Sequence, residues 1–195
     1  MTNEVDRDEQ FKSELIALIP HMRAFARSLC SSPAEAEDLA QEALLKAWNA
    51  RGSYEIGTNL KAWTFMILRN QFYSEKRRSW RSAQLDPDTA ERTLVAVSDP
   101  DAGLQLDEVR RALALLPDDQ REALILIGAG GFSYEEVSAI CGCAVGTIKS
   151  RVSRARDRLA LILAEGSHPQ DGCAPSAAMA SILGELEMLS ARRAA

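Results

Sequence analysis

The chain has 195 residues, 46% hydrophobic and 26% charged, the balance of a folded globular protein and too apolar for wholesale disorder. Its net charge of -5 speaks at first against a nucleic-acid partner, because attraction to phosphate comes from lysine and arginine. No stretch approaches the roughly 20 apolar residues of a membrane span, and the opening MTNEVDRDEQ is acidic where a secretory signal is basic, so a cytoplasmic protein with no membrane partner is expected.

The distribution of charge changes the first impression. From Lys61 to Arg81 six basic residues stand against one acid, and from Ala144 to Leu163 five stand against one. Between these islands, residues 82–108 hold seven acids and only Arg92, so the sign of the charge follows the organisation of the chain. Apolar residues recur at spacings of three and four and strand signals are sparse, which predicts an all-α fold. Asp86-Pro87-Asp88 and Asp99-Pro100-Asp101-Ala102-Gly103 break helices and keep the chain solvated. Two small helical domains are therefore expected, 1–81 and 104–163, joined by an acidic flexible linker over 82–103 and followed by a tail over 164–195.

Ser32-Pro33-Ala34-Glu35 is a helix start, with an N-cap serine, proline in the first turn and a glutamate three residues on. Ala36, Leu39, Ala40, Ala43, Leu44, Ala47 and Trp48 follow the helical repeat and form its buried stripe. Asp38, Gln41, Glu42 and Leu45 lie together on the other side. From spacing alone that mixed face is either a docking surface or a solvated face with one stray leucine.

A second helix is predicted from about Thr58-Asn59 through LKAWTFMILRNQFYSEKRRSW. Its first half is apolar nearly all round, the mark of a central helix. Its second half carries Arg69, Asn70, Phe72, Tyr73, Lys76, Arg77, Arg78 and Trp80, cations and rings of the kind that hold single strands. An amphipathic helix with its rings in the core explains those residues equally well.

In the second half, Pro117-Asp118-Asp119 opens a helix that Gly130-Gly131 closes, and Ser133-Tyr134-Glu135-Glu136 opens another. That helix ends around Cys141-Gly142, and a third begins by Gly146-Thr147, leaving the short turn of a helix-turn-helix. Ile148, Val152, Ala155, Leu159 and Ile162 form the buried stripe of the third helix, with everything outward expected to be polar or basic. Thr147, Lys149, Ser150, Ser153 and Arg154 then project from its N-terminal half, the part that reads a major groove. Arg154 is the leading candidate for guanine. Arg151, Arg156 and Arg158 suit phosphate or structural contacts.

No cofactor and no metal is expected. Cys141-Gly142-Cys143 has no histidine at ligand spacing, since the only two are His21 and His168, and the four cysteines are expected as free thiols. Nor is an enzyme expected: there is no phosphate loop, and no serine or cysteine has a plausible histidine partner.

DLAQEALLKAW, a short loop and LKAWTFMILRN closely resemble region 2 of bacterial sigma factors. LPDDQREALILIGAGGFSYEEVSAICGCAVGTIKSRVSRARDRL resembles their region 4. Together the two resemblances cover roughly residues 11–163, with no place for a region 1.1 or region 3 domain, which points to the extracytoplasmic-function (ECF) group. GTNLKAW and ILRNQFYSEKRR resemble the EcfG-like general-stress-response subgroup.

The resemblance implies a sigma factor that binds core RNA polymerase and promoter DNA and directs transcription initiation. It implies that Asp38, Gln41, Glu42 and Leu45 contact the polymerase. It implies that Tyr54, Asn59, Arg69, Asn70, Tyr73, Arg77 and Arg78 hold the opened minus-10 strand, with Tyr54, its loop and Asn70 receiving a flipped base. Thr147, Lys149, Ser150, Arg151, Ser153 and Arg154 would read the minus-35 duplex. A soluble anti-sigma factor of the NepR type is the implied inhibitor, with a membrane-anchored anti-sigma factor as the competing possibility. A conventional helix-turn-helix regulator or a sigma-like interaction protein is the alternative.

Overall fold

The computed structural model describes residues 2–85, 109 and 111–166, all of whose regular elements are helical. Helix α1 spans Thr2–Leu29, α2 Pro33–Asn49 and α3 Leu60–Leu85, with a 3-10 turn at Arg51–Ser53. After a helical turn at 111–114 come α4 (Asp118–Gly128), α5 (Tyr134–Cys141) and α6 (Val145–Gly166). Helix α3 runs on past the expected start of the linker at 82, and the remainder of the linker, the tail beyond 166 and Cys173 lie outside the described residues.

Local chemistry accounts for most of the boundaries. Ser32 Oγ accepts from the Glu35 N–H at 3.2 Å, and Pro33 sits in the first turn of α2, where its missing N–H leaves no bond unmade. Asn59 caps α3 by accepting from the Ala62 N–H at 3.0 Å. Ser133 and Glu136 form the complete capping box of α5. The turn into α6 closes at Gly142, whose φ of 64° is a left-handed conformation that costs glycine nothing.

Helix α1 is the element that the motifs leave unmarked. It buries Phe11, Leu15, Met22, Phe25, Ala26 and Leu29 along one stripe and tolerates Pro20 in its interior. Together α1, α2 and α3 make a three-helix unit. Its outer end is an aromatic cluster in which Phe11 meets Tyr54 at 5.6 Å and Trp63 at 6.2 Å between ring centroids.

The main core does not stop at that unit. Met22, Phe25, Leu39, Phe65 and Leu68 continue into Leu126, Phe132, Val137, Ile140, Ile148 and Val152 of the second half. Phe65 joins the two, stacked on Phe25 at 5.0 Å and meeting Phe132 edge-on at 5.1 Å. Units this small are close to the lower limit for burying a sufficient core alone, so sharing one adds apolar area to both. Losing a ring like Phe65 typically costs about 3–5 kcal/mol.

Candidate polymerase and nucleic-acid surfaces

On α2 the expected stripe is buried at Ala36, Leu39, Ala40, Ala43 and Ala47, with Leu44 and Trp48 half-buried. Asp38, Gln41, Glu42 and Leu45 are all exposed on the opposite side. Leu45 is 55% exposed, a large apolar group held in water by its neighbours' register. Beside it, Lys12, Leu15, Ile16, Ile19, Leu44 and Trp48 line a shallow apolar depression between α1 and α2.

The region expected to meet an opened strand is divided by the structure. Tyr54 is buried, its ring packed on Phe11 and Trp63 and its hydroxyl donating to the Thr58 carbonyl at 2.7 Å. In the free chain Tyr54 therefore has no open face for a base: its ring and its hydroxyl both hold the loop before α3. Asn70, Arg77 and Arg78 are exposed, and so is Trp80 at 68%. These four form an open basic and aromatic surface along the distal half of α3.

Asn59, Arg69 and Tyr73 instead face the second half of the chain. Arg69 Nε lies 2.7 Å from Glu122 Oε1, and the Tyr73 hydroxyl donates to Glu122 Oε2 at 3.1 Å. The Arg69 guanidinium also sits 4.6 Å from the centroid of the Tyr73 ring. Glu122 is 0% exposed; burial pushes its carboxyl above the usual range, against the pull of Arg69. Burial likewise pushes the Tyr73 hydroxyl up. Asn59 Nδ2 donates to Glu136 Oε1 at 2.5 Å, and Lys61 Nζ donates to the Gly130 carbonyl at 2.7 Å. Arg121 Nη2 donates to the Leu29 carbonyl at 3.2 Å, and Lys76 pairs with Asp118. Sequence reading missed Glu122 and Glu136 as partners of these groups. Spacing marks Glu136 only as a capping acid and Glu122 only as one more acid of α4.

The helix-turn-helix forms as expected. Val137, Ile140 and Cys141 of α5 pack with Ile148 and Val152 of α6, where Ala155 is also buried. Two readings of α6 change. Ile162 is only half-buried, and Leu161 is 62% exposed, so the outward side is not wholly polar. Thr147, Lys149, Ser153 and Arg154 are exposed on the N-terminal half of α6, with Lys149 5.8 Å from the centroid of the Tyr134 ring. The Ser150 hydroxyl donates back to the Thr147 carbonyl at 2.8 Å. Arg151 points into the unit, 3.0 Å from Asp119 and with Nη1 3.7 Å from Cys143 Sγ. Of the two roles open to Arg151, the geometry favours the structural one.

Cys30, Cys141 and Cys143 are free thiols. Burial pushes both Cys30 and Cys141 up to about 12. Among the described residues no cluster of metal-ligating side chains occurs, and no helix is long and apolar enough to cross a membrane.

Comparison with known proteins places both halves. Residues 16–82 match the family Sigma-70 region 2, and residues 106–159 match Sigma-70, region 4. The ECF RNA polymerase sigma factor EcfG of Rhodopseudomonas palustris (strain TIE-1) is 47% identical over 167 residues, 84% of this chain and 92% of the relative. The sigma factor RpoE of Bartonella quintana, solved in complex with the anti-sigma factor NepR, is 50% identical, with a TM-score of 0.73 over 82% of this chain and 99% of that one. CnrH, solved with the cytosolic domain of CnrY, shares the fold at a TM-score of 0.60 and 24% identity, over 80% of this chain and 89% of that one.

Proposed function

The chain belongs to the sigma-70 family, as an ECF sigma factor of the EcfG-like type, and from that premise we propose a division of labour among its surfaces. As a sigma factor it directs promoter-specific transcription initiation. Core RNA polymerase docks on the exposed face of α2 made by Asp38, Gln41, Glu42 and Leu45. This assignment gives a reason for a leucine left in solvent on an otherwise polar face. Charge and shape there select the partner, and the one large apolar group supplies area to bury.

The opened minus-10 strand lies along α3. Asn70 offers amide hydrogen bonds to a base edge, while Arg77 and Arg78 hold phosphates without sequence choice. Asn59, Arg69 and Tyr73 join them once released from Glu136 and Glu122. The minus-35 duplex receives α6 in its major groove, where Lys149, Ser153 and Arg154 approach base edges and Thr147 the backbone at the helix start. Tethering both readers to one polymerase converts two weak contacts into one firm one. The chemistry of RNA synthesis belongs to the polymerase, and the protein acts in the cytoplasm.

A soluble anti-sigma factor of the NepR type is the inhibitor. The likeness to a sigma factor solved with such a partner, at 50% identity over 99% of its length, supports that assignment, and the EcfG likeness supports a role in stress-response transcription. The observation that carries the reading is the presence of both regions on one chain with an exposed α2 face. In-vitro transcription with core polymerase on a promoter library tests it. Sequence-specific transcripts are expected, and their absence would overturn it.

A further inference from the structure

Three of the groups that would hold the opened strand are occupied by carboxylates from the other half of the same chain. Arg69 and Tyr73 converge on Glu122, and Asn59 donates to Glu136. Each acid offers these donors an anionic oxygen, the kind of acceptor that a phosphate also presents. Both belong to the region 4 half, whose own exposed surface on α6 is basic. Glu122 makes no contact that its own half requires for a cap: Glu136 is the capping acid of α5, while Glu122 lies in the middle of α4 with its carboxylate spent across the boundary. We propose that Glu122, seconded by Glu136, is an internal strand mimic that latches the free chain closed and withholds Asn59, Arg69 and Tyr73 from single-stranded DNA until the halves separate. The proposal rests on the assignment of the distal half of α3 to the minus-10 strand.

The geometry suits a latch that opens. A buried ion pair returns little net stability, because both charges lose water, whereas removing one partner leaves the other buried and uncompensated. The contact therefore specifies the closed arrangement while leaving it within reach of a competing partner. Among the described residues the other polar contacts across the boundary include Lys61 to the Gly130 carbonyl, Arg121 to the Leu29 carbonyl and the Lys76–Asp118 pair, set around the shared apolar core in which Phe65 meets Phe132. The α2 face remains exposed in this closed form, so the polymerase can engage it first, and the strand-binding groups are released afterwards. A closed fraction lowers the apparent strand affinity in proportion to the open fraction.

The test uses the full chain in wild-type form and as two separate variants, Glu122→Gln and Lys61→Ala, the second lying outside the strand-binding groups and outside α4. Small-angle X-ray scattering reads the separation of the halves, and circular dichroism confirms helix content. Fluorescence anisotropy reads binding of the labelled non-template strand of a promoter that the wild-type holoenzyme transcribes. Both variants should scatter as more extended particles and bind the strand at least about fivefold more tightly, with transcription by their holoenzymes retained. Unchanged scattering and unchanged strand affinity in both folded variants would overturn the latch alone, as would expansion with no gain in affinity. Failure of the wild-type holoenzyme to transcribe any promoter would instead overturn the functional reading, and the latch with it.

Discussion

Arg69 of α3 and Glu122 of α4 meet at 2.7 Å with the Glu122 carboxyl wholly shielded from water, and this contact crosses the boundary between the two sigma regions. A cation proposed to bind the strand is thus neutralised within the free protein. Among the described residues, charged surfaces remain open on the α2 face, at the distal end of α3 and on the N-terminal half of α6, and the first and last of these make separable predictions.

Asp38→Arg and Gln41→Ala should each weaken binding to core polymerase by at least about tenfold, as expected of residues central to an interface. Both side chains are exposed on α2, so the melting temperature should hardly move. Surface plasmon resonance against immobilised core enzyme, beside a thermal melt, reads both quantities.

Arg154→Ala should cost about 1–3 kcal/mol on the preferred promoter and relax the base preference at one minus-35 position. Arg151→Ala should behave differently, because Arg151 is paired with Asp119. Its removal should lower stability by no more than about 1 kcal/mol and leave the base preference unaltered. Transcription from a randomised minus-35 library distinguishes a reader from a brace.

Ser133→Ala removes the acceptor of the Glu136 N–H and should cost about 1 kcal/mol of stability. The Ser133 backbone N–H, donating at 2.8 Å, holds the Glu136 carboxyl below its usual value of 4.5. A lowered folded-state value contributes stability that is fully present above the unfolded value and is lost as pH falls through the folded one. Acid titration of the melting temperature should therefore show a loss below the ordinary carboxylate range that Glu136→Gln diminishes.

Cys141 should resist iodoacetamide at near-neutral pH, because burial raises its thiol to about 12 and only the thiolate attacks. Alkylation should appear in step with unfolding by urea. Mass spectrometry of the digested chain along a urea series reads the site directly.

What the sequence disclosed was mostly local. The Ser32 and Ser133 caps, the left-handed Gly142 and the buried stripe of α2 each depend on residues within a turn or two, and spacing displays such relations. Helix α1 carried the same kind of signal in Phe11, Leu15, Met22, Phe25 and Leu29 but lacks a cap motif to announce it. Tyr54 was ambiguous because an aromatic residue beside a loop suits a base platform and a core equally; in the free chain it packs against Phe11 and Trp63. Asn59 and Glu136 are 77 residues apart, and no periodicity links positions on opposite sides of a linker. The acids that cross the boundary therefore looked like ordinary acids of their own helices.

Phe65, touching Phe25 on one side and Phe132 on the other, makes the closed chain a single cooperative body. Heat applied to the free protein melts both regions together, because neither aromatic neighbour keeps its packing once the ring between them is lost. If the regions part on the polymerase as proposed, the same ring would keep one neighbour, and the two regions would melt independently. Cooperativity would then belong to the idle state and be surrendered when the protein goes to work.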